Sequence, residues 1–188
     1  NGPESFFGIR FRVLGHRGLI STPLGEWGML DGVKATDVLP VEVVATVFES
    51  IAKANNFNER CYDLSETLLS LVKCVKIDSR LAGFIRYCHK NISANIDLSD
   101  KQCAEFGVSA RQLRRLTKHH LGVPPKDFAQ ILRFQKALNG INAAQHKSTY
   151  LDHYYDQPHF IREFKRLSGL TPTQFKNMSV LHNHDLLV

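Results

Sequence analysis

Residues 109–128, SARQLRRLTKHHLGVPPKDF, decide how the rest of the chain is read. Ser109 is a good N-cap, because its hydroxyl can accept from a free backbone N–H in the first turn. Gly122 stops the helix, and Pro124 and Pro125 prevent it from resuming. At helical spacing Leu113, Leu116 and His120 collect on one side, while Arg111, Arg114, Arg115 and Lys118 collect on the other. A row of cations on a helix is most often a solvated face. A second copy argues otherwise. Shifted by 47 positions, the stretch overlies residues 156–175, DQPHFIREFKRLSGLTPTQF. Ser109 then meets Asp156, another N-cap, and Leu113 meets Phe160. Arg115 meets Arg162, Lys118 meets Lys165, Gly122 meets Gly169, Pro125 meets Pro172 and Phe128 meets Phe175. Cap, core residue, cation pair, stop and aromatic anchor recur in register, so the chain carries an internal repeat of a supersecondary unit.

Charge follows the repeat. Residues 1–76 hold 8 Lys+Arg against 9 Asp+Glu, whereas residues 77–188 hold 16 against 9. A cationic half of this kind suits a polyanionic partner. No apolar run approaches the roughly 20 residues of a membrane span, and no secretory signal pattern opens the chain, so no membrane role and a cytoplasmic location are expected. Cys61, Cys74, Cys88 and Cys103 are spaced 13, 14 and 15 apart without a CxxC pair. That spacing suggests reduced thiols rather than a zinc site or a disulfide framework. The chain opens Asn-Gly-Pro, which reads as a fragment of a longer protein.

In chain order, residues 6–13, FFGIRFRV, alternate partly and predict a half-buried strand, followed by a Gly- and Pro-punctuated loop to Pro40. Val41, Val44, Val47, Phe48 and Ile51 predict one helix. Leu64, Leu68, Leu71 and Val72 predict the buried face of a second, and the two form an antiparallel pair. Ser79 would cap a helix with Leu81, Phe84, Ile85 and Cys88 inward. A short helix over 98–106 would use Ala104 as the small side chain that admits the next helix, with Gly107 at the turn. Lys126 to Leu138 would form a connector with Phe128, Ile131, Leu132, Phe134, Gln135 and Leu138 buried, continuing to Ile141.

The strings GVSARQLRRL, RFQKAL and YYDQPHFIREFKRLSGLTPTQF resemble the AraC/XylS family of bacterial transcription regulators over roughly the last 110 residues. The resemblance implies a mainly α fold with two helix-turn-helix subdomains, about 98–121 and about 146–168, joined by a long linker helix at about 126–141. It places a DNA-binding domain at 77–188. Residues 1–76, a small strand and loop segment followed by a helical pair, would be the C-terminal part of a regulatory or dimerisation domain. The segment GIRFR is loosely similar to the end of a sensor domain, although Val13, Leu14 and Gly15 replace the Pro-Gly expected after it.

The implied partner is double-stranded DNA. A homodimer through the helical pair, a small-molecule effector and RNA polymerase are the further partners implied. By position in the motif, Arg111, Arg114 and Arg115 would read bases in the first unit, and Gln157, His159 and Arg162 in the second. Ser109, Lys118, Lys165 and Arg166 would contact phosphate. Arg suits base reading because its fork donates to both guanine O6 and N7.

Two departures concern the second unit. Thr149 stands where the family has Ala, and His153 stands where a Gly would supply a left-handed turn. Thr117 departs in the first, since its counterpart Phe164 is large. The rival reading is therefore a helical interaction module that has lost DNA binding. Catalysis is not expected: His119 and His120 are adjacent rather than four apart, His182 and His184 lie in the tail, and none comes with an arranged carboxylate or nucleophile. No cofactor and no metal are expected.

Overall fold

Short polar and proline signals open most of the helices. The computed structural model describes residues 8–20, 22–27, 33–92, 96–142, 154 and 156–177. Among the described residues the helices are α1 (Ala35–Val38), α2 (Val41–Lys53), α3 (Phe57–Leu71), α4 (Ser79–Lys90), α5 (Asp100–Ala104), α6 (Ala110–Leu121), α7 (Pro125–Asn142), α8 (Gln157–Ser168) and α9 (Pro172–Asn177). The fold is mainly α-helical, with no sheet among the described residues. Two compact units emerge: residues 1–77 with 116–122, and residues 78–115 with 123–188.

In the first unit, Pro40 precedes α2, and Asn56 caps α3 by accepting from Glu59 N. The Glu59 side chain reaches back to Asn55 and Asn56, which holds its carboxyl below the usual range, first through the Asn55 N–H. The two helices pack as a hairpin across residues 54–56, with Ala54 and Leu64 buried. The expected apolar faces are only partly covered. Val44, Val47, Ile51, Leu68 and Leu71 are half-buried, whereas Val41 and Phe48 are more than 60% exposed and Val72 falls beyond the helix end. A hairpin has one shared seam, and the hydrophobic stripe on α2 is wider than that seam.

The expected strand over 6–13 does not form in its described part. Residues 8–13 run without a partner strand, and Ile9, Phe11 and Val13 are each at least 40% exposed. Alternation alone cannot build a strand when no second edge supplies the ladder. Buried Leu14 turns the chain in the left-handed region at φ 64, and two 3-10 turns follow at Gly15–Gly18 and Leu24–Glu26.

In the second unit, Asp78 rather than Ser79 caps α4. Its carboxylate accepts from Arg80 N at 2.9 Å and from the Arg80 guanidinium at 2.6 Å. The Arg80 hydrogen bond is the main reason the Asp78 carboxyl drops to about 2. Aspartate can accept from the backbone and hold a cation at once, which favours Asp78 over Ser79 at this cap. Leu81, Phe84 and Cys88 point inward as expected. Phe84 lies against Phe106 and Phe128, with ring centroids 6.1 and 5.9 Å apart. The helix at 98–106 is shorter than expected, since Ser99 caps it and Asp100–Ala104 alone is helical. Cys103 is fully buried there and Ala104 is exposed, one position away from the expected register.

The second core gathers Ala137, Ile141, Phe160 and Phe164, packed by Phe134, Leu138, Tyr154, Ile161 and Phe175. Thus α7 contributes to both cores, with Phe128 and Leu132 buried near its start. Thr149 and His153, with the first helix expected for the second unit, lie outside the described residues, as do His182 and His184.

All four cysteines are free. Burial pushes the Cys88 thiol up to about 12, and burial together with the charges of Asp100 and Asp97 raises that of Cys103. Since the thiolate is the reactive form, native protein treated with an alkylating reagent should label at exposed Cys74 first and at Cys88 and Cys103 only after unfolding. Equal labelling of all four in peptide mass spectra would contradict this burial.

Candidate nucleic-acid interface

Helix α6 begins as a reciprocal cap. Gln112 N donates to Ser109 Oγ at 3.3 Å, and Ser109 N donates to Gln112 Oε1 at 2.9 Å, so two first-turn donors are satisfied together. Ala110 N donates to Asp100 Oδ1 at 2.8 Å. This end of the helix therefore already holds a carboxylate, and a phosphate approaching Ser109 would compete with it. Leu113 and Thr117 are buried, and Leu116 and His120 are half-buried. Arg111, Arg114, Arg115 and Lys118 are all exposed, on the side predicted from the sequence. No hydrogen bond or ion pair within the described residues engages the side chains of Arg111, Arg115 or Lys118. Their forks and ammonium are open to an incoming anion.

The last turn of α6 is held within the first unit by residues 17–26. Arg17 Nη1 lies 3.1 Å from His120 Nδ1, and because a guanidinium can only donate, that nitrogen must be the acceptor of a neutral ring. His120 is thereby a structural histidine, as its core-edge position suggested. At Gly25 a Cβ would collide with the main chain of Lys118 and His119, so only glycine allows the approach. Glu26 stands 3.9 Å from His119. Buried His16 beside Arg17 is shifted toward the neutral form, mainly by burial and secondly by the Arg17 charge.

Helix α8 repeats the arrangement. Asp156 accepts from His159 N at 2.7 Å, Pro158 occupies the first turn, and Gly169 ends the helix at φ 76, as Gly122 ends α6 at the same φ. Only a residue without a Cβ takes that left-handed stop without strain. Phe160 and Phe164 face the core; Gln157, Arg162, Lys165 and Arg166 are exposed.

Not every expected contact residue of α8 is free. Arg166 Nη2 donates to Gln130 Oε1 on α7 at 2.8 Å, and His159 Nε2 lies 3.9 Å from Glu163 Oε2. The outward ridge of α8 centres on Arg162 and Lys165, with His159 and Arg166 on the flank that meets α7.

Four residues of this neighbourhood were missed in the sequence: Gln130, Arg133, Tyr154 and Glu163. One signal could have found Glu163. The 47-residue register sets it opposite Leu116, so a carboxylate occupies an apolar position of the repeat.

A capped helix after a short helix and a tight turn, with an exposed cationic ridge over a buried apolar side, is the architecture of a helix-turn-helix. A family model described as a helix-turn-helix domain matches residues 102–178. No curated protein and no solved structure matches the chain. Residues 102–178 thus carry a helix-turn-helix domain, consistent with DNA-binding transcription factors generally. No helix among the described residues is long and apolar enough to cross a membrane.

Proposed function

We propose that the protein is a sequence-specific, DNA-binding transcription regulator of the AraC type, using α6 and α8 as recognition helices for adjacent major-groove segments. The observation that carries this reading is the paired ridge: Arg115 and Lys118 on α6 match Arg162 and Lys165 on α8 in the register of the repeat, and all four are exposed, with exposed Arg111 extending the ridge on α6. Arg111, Arg114 and Arg115 read base edges in the first segment. Arg162 and Gln157 do so in the second, with His159 at the margin. Lys118 and Lys165 take phosphates, joined by Ser109 and Arg166 where their internal partners yield. A second copy docking on the α2–α3 pair belongs to the same reading, supported by the exposed Val41, Phe48, Tyr62 and Leu69.

Selection of bound sequences from random duplex DNA at two salt concentrations tests it. The expected result is a bipartite site with centres roughly 34 Å apart, one helical turn. The affinity should fall with salt at a log-log slope of about −0.9 per phosphate neutralised. Recovery of no preferred sequence, with no salt dependence, would favour the interaction module and reject the regulator.

A further inference from the structure

Glu163 is 5% exposed and Arg133 is 7% exposed, on facing helices beside an otherwise apolar core. Burying a carboxylate costs several kcal/mol unless partners compensate, and the same position in the first copy of the repeat is held by Leu116. One carboxylate oxygen, Oε2, has such a partner, while Oε1 is buried with no hydrogen-bond partner among the described residues. Gln130 Nε2 donates to Glu163 Oε2 at 3.4 Å, and the other end of the same amide accepts from Arg166. One α7 side chain therefore grips α8 at two points three residues apart.

Tyr154 sits against this group. Its ring lies 5.8 Å from the Arg133 guanidinium. Its hydroxyl is held strongly toward the protonated form, by burial first and then by the Glu163 charge, with Arg133 opposing. His159, one turn before Glu163, completes the row at 3.9 Å.

An apolar contact between two helices tolerates rotation about the helix axis, because it has no preferred direction. A hydrogen-bonded amide between two α8 residues does not. Resting on the DNA-reading function above, we propose that Glu163 and Gln130 are positioning residues that set the rotation of α8 about its own axis. That rotation determines that Arg162 faces the groove while His159 and Arg166 remain on the flank. The first recognition helix, with Leu116 at the matching position, lacks this device and is oriented by other contacts.

The test uses the full chain with Glu163→Leu, which installs the residue of the first copy, and Glu163→Gln, which preserves shape and hydrogen bonding to the Gln130 amide. In the free protein, residual dipolar couplings of α8 relative to α7 should report a changed helix orientation for Glu163→Leu and a native one for Glu163→Gln. On DNA, Glu163→Leu should lose about tenfold in base discrimination at the second segment, the size of a single base contact. The first segment and the salt slope should be unchanged, and Glu163→Gln should restore the second-segment preference. Native couplings in Glu163→Leu, or loss of discrimination at both segments equally, would overturn the proposal. The couplings do not depend on DNA, so a wild-type protein that selects no site would sink the functional reading while the positioning of α8 is still decided.

Discussion

Phe164→Ala is expected to destabilise the second unit by about 3–5 kcal/mol, the range for truncating a fully buried aromatic residue. Phe164 has no exposed surface. Its ring meets Phe134, Phe160 and Phe175 edge-on, at centroid distances of 5.0, 5.5 and 5.6 Å. It is therefore the hub through which α7, α8 and α9 share one core. Truncation leaves a cavity lined by three rings, each of which loses an edge-to-face partner. Small domains are held by roughly 5–15 kcal/mol in all, so much of that margin would go. Chemical denaturation followed by circular dichroism should show an earlier transition, and DNA selection should lose the second segment before the first. A shift in stability below about 1 kcal/mol would mean that the site collapses around the gap and that the core is less closely packed than described.

Arg115→Ala is expected to weaken specific DNA binding by about 1–3 kcal/mol, the contribution of one bidentate base contact. The side chain is exposed, and no ion pair within the described residues competes for it. The helix beneath it is fixed by the Ser109–Gln112 cap and by buried Leu113. Because the residue supports no buried contact, the variant should keep its thermal transition while its preference relaxes at one base pair. An anisotropy titration at fixed salt, with the specific site and a scrambled duplex, separates the two effects. Equal losses on both duplexes would reassign Arg115 to phosphate, and no loss on either would remove it from the interface.

The contrast between Arg115 and Glu163 shows which parts of this protein are readable along the chain. A helix cap, a glycine stop and a 3.6-residue apolar stripe are local events, decided by residues within one or two turns. The starts of α6 and α8, the left-handed glycines at 122 and 169 and the outward set of Arg111, Arg115, Arg162 and Lys165 were all legible for that reason. The register of 100–104 was off by one because a five-residue helix offers too little periodicity to choose between Cys103 and Ala104. The strand expected over 6–13 does not form in its described part, 8–13, because alternation states a preference and a neighbouring edge must satisfy it.

Local pattern alone determined that this chain repeats a capped, cation-bearing helix 47 residues apart, since each part of that unit is a short-range interaction between neighbours in sequence. Tertiary structure alone decided which of those cations are engaged. Arg166 and Arg162 look alike along the chain, yet one reaches Gln130, 36 residues earlier, and the other stands exposed. The physical reason is that a hydrogen bond between helices depends on how two separately formed faces meet, and no spacing along a single helix encodes that meeting.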